Sequence, residues 1–431
     1  MGIPDKESGD ASDIEVWQTI SRMSARAVSE TEALLLALLA QPSPNPPGDT
    51  RGLADVIEDF VADLPGVDCQ RVVTDELIHN LIITLKGTGA GRRLVLNGHL
   101  DTFPLANPDA WKRDPKGECA EGNIFGLGVS DMKGGLAAAL QCLKILSKCR
   151  SAFAGELVLA FAGDEEGAGK LGMEYLLENH PETIGDAVVT VDAGSPEVLR
   201  FGEKGAIWME LSVKSKPFHA AHVHLGTSAI ETLTDVLNEL KRLRNWPVEL
   251  PEDVSDAIET ASDTSEQHSG AGETQVLKTV SVNFTVVKGG HLTNVSAETC
   301  AANVDIRLPA GVSVDEIKSE ITAIIARYPQ VSAEYSVLDE PNWSAPGCEL
   351  VRLLQDSGEK VLGKRPVATM RVGQSDSRLY RYRGVPTVVC GLTPQNMGGA
   401  DEHVSQQELY QLTTMLALTS HHFLSHGPEQ S

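Results

Sequence analysis

Residues 97–136 read NGHLDTFPLANPDAWKRDPKGECAEGNIFGLGVSDMKGGL, and the rest of the chain is interpreted from this stretch. His99 and Asp101 follow the apolar run at 94–96, so both are expected where a buried strand ends. Asp131 precedes an Ala- and Leu-rich run at 136–148 that predicts a buried helix starting near Asp131. Histidine and aspartate at the rim of a sheet are residue types that bind divalent metal ions.

The first two hundred residues alternate between helical and strand patterns. Buried strands are predicted at 92–96, 155–162 and 187–191, and a helix at 14–39. Glu165 and Glu166 follow the second strand, and Asp192 follows the third. This order predicts an α/β domain with a mixed sheet covered by helices, whose ligand sites lie beyond the carboxyl ends of strands.

A different pattern begins after about residue 200. Strands at 206–213, 276–288, 299–308 and 331–338 alternate with helices at 227–244 and 314–327. The order β-α-β-β-α-β predicts a ferredoxin-like α+β domain. The acidic segment 246–273 is expected to be an exposed insertion. We predict a first domain formed by 14–201 and 341–431, with the second domain, 202–340, inserted into it.

Composition excludes several classes of partner. The formal net charge of -24 argues against nucleic acid and against an anionic membrane surface. No stretch is long and apolar enough for a transmembrane helix. The seven cysteines are widely spaced, which indicates free thiols in a reducing compartment. Residues 1–12 lack the pattern of a signal peptide, so we predict a cytoplasmic protein.

Five residues at the ends of predicted elements could bind two divalent metal ions: His99, Asp131, Glu166, Asp192 and His403. Imidazole and carboxylate ligands suit Zn²⁺, Mn²⁺ and Co²⁺ alike. Asp131 is predicted to bridge the ions, and Asp101 to accept the second N–H of His99. Glu165 is predicted to be the general base, since adjacent side chains point in different directions.

Each of these residues also has an ordinary structural interpretation. Asp131 could cap a helix, Asp192 could belong to a turn, and His403 could simply precede the last helix. Glu165 and Glu166 could lie in a solvated loop. We prefer the metal-binding interpretation because all five residues fall at successive element ends in one α/β pattern.

The order of these motifs resembles the M20 family of metallopeptidases and amidohydrolases, from about residue 25 to 420. The matching pieces are HLDTFP at 99–104, GLGVSDMKGG at 126–135, DEEG at 164–167, Asp192 and His403. The resemblance implies a zinc-peptidase-like catalytic domain and an inserted lid that forms a homodimer. It also implies that His99, Asp131 and Asp192 bind one ion, and that Asp131, Glu166 and His403 bind the other.

The resemblance extends to residues of the inserted domain and the pocket. It implies that His219 reaches the partner's active site, that Asn294 binds substrate and that Arg307 binds a substrate carboxylate. Ser375 lies in the segment GQSD, where the family has a pocket-lining loop. Phe218, Ser228 and Gln374 depart from the family pattern. The additional His222 and His224 either stabilise an unusual anion or pack at the dimer interface.

These observations predict a metal-dependent hydrolase of a C–N bond, with Asp101, Glu165 and His219 assisting catalysis. The expected substrate is a small carboxylated molecule, an N-acyl amino acid or a small peptide. An alternative is an aminohydrolase that releases ammonia from a carboxylated amine such as 5-nitroanthranilate. A non-catalytic binding protein on the same fold is a third hypothesis.

Overall fold

The computed structural model describes residues 11–167 and 169–427. Residues 1–10, which hold most of the segment on which the signal-peptide prediction was based, lie outside these residues. The described residues divide into two compact units. The first draws on Met1–Phe201, Ser344–Ala368 and Ser375–Ser431, and the second on Gly202–Trp343 and Thr369–Gln374.

The α-helices are numbered in chain order. They are α1 (Ala11–Arg26), α2 (Val28–Leu39), α3 (Arg51–Val61), α4 (Gly134–Lys148), α5 (Met173–Asn179), α6 (Ala229–Leu240), α7 (Glu252–Ser269), α8 (Glu273–Leu277), α9 (Val314–Ile325), α10 (Glu349–Leu362), α11 (Ser377–Arg381) and α12 (Gln406–Ser425).

The strands are numbered in the same way. They are β1 (Val67–Val73), β2 (His79–Lys86), β3 (Arg93–His99), β4 (Glu118–Ala120), β5 (Asn123–Phe125), β6 (Glu156–Ala162), β7 (Ala187–Thr190), β8 (Val198–Glu203), β9 (Gly205–Lys214), β10 (Ser281–Gly289), β11 (Thr299–Leu308), β12 (Val331–Asp339), β13 (Asn342–Trp343), β14 (Val367–Arg371), β15 (Thr387–Val389) and β16 (His403–Ser405).

The main sheet of the first unit has the strand order β1-β2-β6-β3-β7-β15-β8. Its centre is parallel, because β3 pairs in parallel with β6 and β7, and β7 pairs in parallel with β15. From its second residue to its last, each of β3 and β6 is buried, which is typical of strands covered on both faces. The helices α4 and α12 pack against each other beside this sheet. The predicted α/β fold with a mixed, helix-covered sheet is therefore confirmed.

The second unit contains a four-stranded sheet in the order β10-β11-β9-β12. The neighbouring strands are antiparallel, and α6 and α9 pack against strands of this sheet. Buried Leu233, Ile317 and Ile321 of these helices share one apolar core with Ile207 and Ile306 of the sheet. The chain order β9-α6-β10-β11-α9-β12 gives the ferredoxin-like arrangement predicted from the sequence.

Three predicted elements differ from the observed ones, because the apolar pattern in their segments is short or interrupted. The helix predicted over 14–39 is two helices, which meet at Ala27. The acidic segment 246–273 contains α7, which buries Val254, Ile258 and Ala261 on one face. The strand predicted over 276–288 begins only at Ser281, because α8 occupies the start of that segment.

The short strands β4, β5, β8, β13, β14 and β16 were not predicted. Their two to six residues offer too little alternation for a periodic signal. Across the part of the chain that the structure describes, every helix is too short or too polar to cross a lipid bilayer.

Candidate metal centre

Three parallel strands bring polar residues to one edge of the main sheet. His99 is the last residue of β3 and lies beside Ala162, the last residue of β6. Glu165 and Glu166 follow β6, and Asp192 follows β7. Because the carboxyl ends of parallel strands meet at the same edge, these side chains converge on one place.

A buried histidine and two buried aspartates form the first candidate ligand group. One side-chain ligand atom each from His99, Asp131 and Asp192 lies within 4.8 Å of the other two. Nε2 of His99 is 2.9 Å from Oδ1 of Asp131, and its Nδ1 donates to the backbone carbonyl of Asp101 at 2.9 Å. The Nδ1 contact fixes the imidazole, so Nε2 is the nitrogen that faces the carboxylates.

The turn Val129–Lys133 precedes α4 and carries Asp131. The helix itself begins at Gly134 rather than near Asp131, and the Asp131–Met132 peptide bond is cis. At Gly135, a Cβ atom would lie 1.8 Å from the carbonyl oxygen of Val191. Only glycine allows this close approach of the helix start to the end of β7, where Asp192 follows.

A second candidate group combines His99 with the adjacent Glu165 and Glu166. The carboxylate of Asp101 accepts backbone N–H groups from Glu165 at 3.2 Å and from Glu166 at 3.0 Å. It also accepts Nδ2 of Asn45 at 2.9 Å. Oδ1 of Asp101 is 3.6 Å from Nδ1 of His99, so its backbone carbonyl, rather than the predicted carboxylate, makes the short contact with the imidazole.

The electrostatics are those of crowded carboxylates around one imidazole. Burial, reinforced by Asp376, Asp192 and Glu166, raises the pKa of Glu165 well above its usual value. Burial and the Asp131 carboxylate raise the pKa of Glu166 to about 8. Burial lowers the pKa of His99, but hydrogen bonds with Asp101 and Asp131 outweigh it and leave the pKa well above its usual value.

The donor set fits a divalent cation. Oε1 of Glu166 and both carboxylate oxygens of Asp376 are buried and lack a hydrogen-bond partner among the described residues. Buried carboxylate oxygens are strongly unfavourable unless a proton, a hydrogen-bond donor or a cation compensates them. Oxygen and imidazole donors are the ligands that Zn²⁺, Mn²⁺ and Co²⁺ accept.

His403 is not brought into either ligand group within residues 11–167 and 169–427. It pairs with Phe125 across β16 and β5, and the two rings lie 4.8 Å apart. Nδ1 of His403 donates to the carbonyl of Asp401 at 2.9 Å.

The preceding residue, Glu402, was not singled out in the sequence. Its buried carboxylate accepts the backbone N–H groups of Gly128 and Ser130, each at 3.0 Å, and the Ser130 hydroxyl at 2.7 Å. Glu402 therefore stabilises the loop that leads into Asp131. Burial raises the pKa of Glu402, although the Ser130 and Gly128 hydrogen bonds oppose the shift. Its position beside His403 in Asp401-Glu402-His403 was the one available signal.

In the second unit, His219 and Asn294 lie on neighbouring loops. Ala220 N donates to the Asn294 carbonyl at 2.9 Å, and His219 forms an isolated β-bridge with Val295. His219, His222 and His224 are all exposed. Their rings form a row, with centroid distances of 5.6 Å and 5.7 Å between successive histidines.

Arg307 lies elsewhere in the same unit. Thr299, near the His219 loop, pairs with Lys214, whereas Arg307 pairs with Ala206 at the other end of β9. The separation along β11 is about 26 Å at about 3.3 Å per residue. The Arg307 guanidinium binds the Asp305 carboxylate through Nε at 2.7 Å and Nη2 at 3.0 Å.

Ser375 is buried in the first unit, where its hydroxyl accepts the Ser377 N–H at 3.3 Å. The next residue, Asp376, has a buried carboxyl whose pKa burial raises to about 6, with Arg378 opposing the shift. The nearby Asp376 carboxylate also helps to raise the pKa of Glu165. The sequence motif GQSD thus also brings the Asp376 carboxylate into the electrostatics of the centre.

Comparison with known proteins agrees with this geometry. The sequence profile of peptidase family M20/M25/M40 matches residues 95–422. The chain belongs to this family. The predicted M20 resemblance and metallohydrolase class are therefore confirmed. The wider family includes metal-dependent enzymes, among them a dinuclear metal-binding M20 peptidase from Bacillus subtilis with a TM-score of 0.65, at 13% identity over 93% of this chain and 99% of that chain.

Among its M20 relatives, succinyl-diaminopimelate desuccinylase of Cereibacter sphaeroides is 26% identical over 88% of this chain and 94% of the relative. The enzyme of the same name from Parvibaculum lavamentivorans is 28% identical over 88% and 92%. An M20 family metallo-carboxypeptidase from Sulfolobus solfataricus superposes with a TM-score of 0.78 at 18% identity, covering 91% of this chain and 99% of that chain. The last similarity concerns the fold alone.

Proposed function

We propose that this M20 protein hydrolyses the amide of an N-acyl amino acid or a small peptide that carries a free carboxylate. The observation that carries the proposal is the convergence of buried His99, Asp131 and Asp192 at one sheet edge, with Glu165 and Glu166 facing the same imidazole. The desuccinylases among the relatives, by name, remove an acyl group, which supports an acyl amino acid as the substrate class.

The residues have complementary roles in this proposal. Five residues, His99, Asp131, Glu166, Asp192 and His403, would hold divalent metal, which when bound polarises a carbonyl and activates water. Glu165 takes the proton of the attacking water and passes it to the leaving nitrogen. Asp101 holds the backbone of Glu165 and Glu166 in place through its two N–H contacts.

Substrate contacts are assigned to the second unit and to the 373–376 loop. Arg307 binds the substrate carboxylate, for which a planar guanidinium supplies two parallel N–H donors. His219 supports the developing oxyanion and Asn294 contacts the substrate. The Asp305 carboxylate accepts hydrogen bonds from two N–H groups of Arg307. A substrate carboxylate would therefore compete with Asp305 for these donors. Ser375, in the 373–376 loop, is proposed as a further substrate-binding residue.

A homodimer is part of the proposal. Thr299, near the His219 loop, and Arg307 lie about 26 Å apart along β11, a separation too large for His219 and Arg307 to contact one small substrate in a single copy. A second copy would supply His219. The edge strand β10 exposes Val286 and Val287, and α6 exposes Ile230, which suits pairing with another chain. A monomeric mass in light scattering would contradict this assignment.

A cytoplasmic location is proposed from the state of the cysteines. All seven cysteines are free, which suits a reducing compartment such as the cytoplasm. Neither nucleic acid nor a membrane surface is proposed as a partner, given the net charge of -24.

The function is tested by product release from the protein reconstituted with Zn²⁺, Mn²⁺ or Co²⁺. One panel contains N-succinyl and N-acetyl amino acids, dipeptides and aminobenzoates. Glu165→Gln is expected to reduce kcat by about 10²- to 10⁴-fold, the usual contribution of a general base, while bound metal is retained. Glu178→Gln, which changes an exposed glutamate of α5, is the matched control.

The products separate the hypotheses. Release of an acyl carboxylate or an amino acid supports the proposal. Ammonia released from an aminobenzoate alone would replace it with the aminohydrolase reaction. Full activity in Glu165→Gln would contradict the role of Glu165, and a metal-loaded protein without any turnover would favour a binding protein.

A further inference from the structure

The chain segment between α2 and α3 runs beside the end of β3. The backbone N–H of Thr102 donates to the Ser43 carbonyl at 2.9 Å, and the N–H of Asn45 donates to the Thr102 carbonyl at 2.9 Å. The Ser43 hydroxyl donates to the Leu100 carbonyl at 2.7 Å. These contacts fix the backbone of Asn45 beside the first motif of the candidate metal centre.

The side-chain amide of Asn45 lies between two carboxylates. Its Nδ2 is 2.9 Å from Oδ2 of Asp101 and 3.3 Å from Oδ1 of Asp164. Ionised carboxylates only accept hydrogen bonds, so the NH₂ group of the amide faces them, and its two hydrogens can serve one carboxylate each. Two neighbouring carboxylates repel each other unless a donor lies between them. Asn45 therefore joins the residues after β3 to the loop after β6.

The loop after β6 is closely packed around this bridge. A Cβ atom at Gly167 would lie 2.0 Å from Oδ1 of Asp164 and 2.6 Å from Nδ2 of Asn45. The second carboxylate oxygen of Asp164 accepts the Leu171 N–H at 3.2 Å. The backbone of Asp164 has a φ of 70°, a left-handed conformation that aspartate adopts more readily than most residues. Asn45 and the Leu171 N–H thus hold Asp164 in an uncommon conformation.

Glu165, the proposed general base, lies directly between the residues that this amide anchors. The N–H groups of Glu165 and Glu166 bind the Asp101 carboxylate at 3.2 Å and 3.0 Å. Asp164, the residue before Glu165, is bound by Asn45, which also binds Asp101. A single amide thus contacts both carboxylates that set the backbone position of Glu165.

We propose that Asn45 is a positioning residue: by bridging Asp101 and Asp164, it holds the backbone from which the Glu165 side chain reaches the reacting atoms. The inference rests on the proposed function, in which Glu165 moves the proton. A displacement of about 1 Å at a reacting group can lower the rate by about 10²-fold. Loss of the bridge should therefore reduce turnover rather than substrate binding.

The first test separates turnover from binding in the full-length, zinc-loaded protein. Asn45→Ala removes both donors, and we expect kcat to fall by about 10- to 100-fold while KM stays within about twofold. Bound zinc per chain is expected to match wild type. Asn179→Ala, which removes an exposed amide that donates to the Tyr175 carbonyl, is the matched control and should keep wild-type kinetics.

Two further variants distinguish positioning from packing. Asn45→Asp keeps the side-chain shape but replaces the donor with an acceptor, so it should lower kcat at least as much as Asn45→Ala. An Asn45→Asp protein that is more active than Asn45→Ala would mean that the residue only fills space, and would overturn the inference. Asp164→Gly removes the acceptor at the other end of the bridge, and glycine adopts positive φ freely. The same loss of kcat with unchanged KM is expected there.

Amide hydrogen exchange gives a readout that needs no substrate. Residues 164–167 should exchange about tenfold faster in Asn45→Ala, as expected for loss of a hydrogen bond to a charged group, while exchange in β6 stays unchanged. Unchanged exchange at 164–167, wild-type kcat in Asn45→Ala, or a loss confined to KM would each overturn the inference. If wild type hydrolyses no member of the substrate panel, the proposed function is wrong, and the exchange measurement still decides whether Asn45 holds the loop.

Discussion

Replacing Asp101 with asparagine tests how the centre positions its two glutamates. The buried Asp101 carboxylate accepts Glu165 N–H through Oδ1, and Glu166 N–H and Asn45 Nδ2 through Oδ2. An asparagine of the same shape presents an NH₂ group in place of one oxygen. At least one backbone N–H then faces a donor instead of an acceptor.

The magnitude follows from that lost acceptor. An unsatisfied buried donor costs about 1–3 kcal/mol, which corresponds to about 5- to 150-fold in an equilibrium or rate constant at about 1.4 kcal/mol per factor of ten. Outer-shell partners of metal ligands have effects of about 10- to 100-fold. We therefore expect Asp101→Asn to lower either the zinc affinity or kcat/KM by about 10- to 100-fold.

The assay combines zinc titration against a competing chromophoric chelator with steady-state hydrolysis. Asp186→Asn is the matched control, because Asp186 accepts the backbone N–H of Arg93 at the opposite end of β3 and is exposed. The control is expected to behave like wild type in both measurements. If folded Asp101→Asn stays within twofold of wild type in both, the positioning role assigned to Asp101 is wrong.

Three further predictions concern packing, pH and the substrate. Gly135→Ala places a methyl group 1.8 Å from the Val191 carbonyl and should destabilise the fold by about 1–3 kcal/mol, whereas exposed Gly347→Ala should leave the thermal midpoint unchanged. Burial lowers the pKa of Lys204 to about 7, so the unfolded chain binds one more proton above pH 7 and stability rises with pH up to about 10. In urea titrations from pH 7.5 to 9, Lys204→Met should remove about 1.4 kcal/mol per pH unit of that rise, and an unchanged slope would contradict the pKa. Arg307→Lys should raise KM by at least about tenfold for a carboxylated substrate and have little effect on its carboxamide, as expected for lost bidentate binding; equal effects on both would contradict the assignment.

The sequence was most informative where one physical rule determines position. His99 and Asp192 could be placed at a common sheet edge because continuous apolar runs identify parallel strands, and their carboxyl ends coincide. Glu165 and Glu166 followed from the same rule. The start of α4 was misjudged because the turn before it, which carries Asp131, has no periodic signal.

Side-chain direction was harder to predict than position. His403 begins β16, and the buried carboxylate of its neighbour Glu402 binds the loop before Asp131, a contact that residue spacing could not indicate. Arg307 was expected to be available to substrate, although Asp305, two residues earlier on the same strand face, is placed to bind it. In α7, the buried Val254 and Ile258 are separated in sequence by polar and acidic residues, which made the segment look exposed.

The contact of Glu402 with the loop before Asp131 also has a consequence for the order of folding. The two partners are separated by 272–274 residues, and the whole second unit lies between them in the chain. During synthesis from the N-terminus, His99, Asp131 and Asp192 emerge long before Glu402 does. The hydrogen bonds from Gly128 and Ser130 to Glu402 can form only when the C-terminal segment arrives. A nascent chain that ends before Glu402 is therefore expected to contain His99, Asp131 and Asp192 without the hydrogen bonds that hold the loop before Asp131.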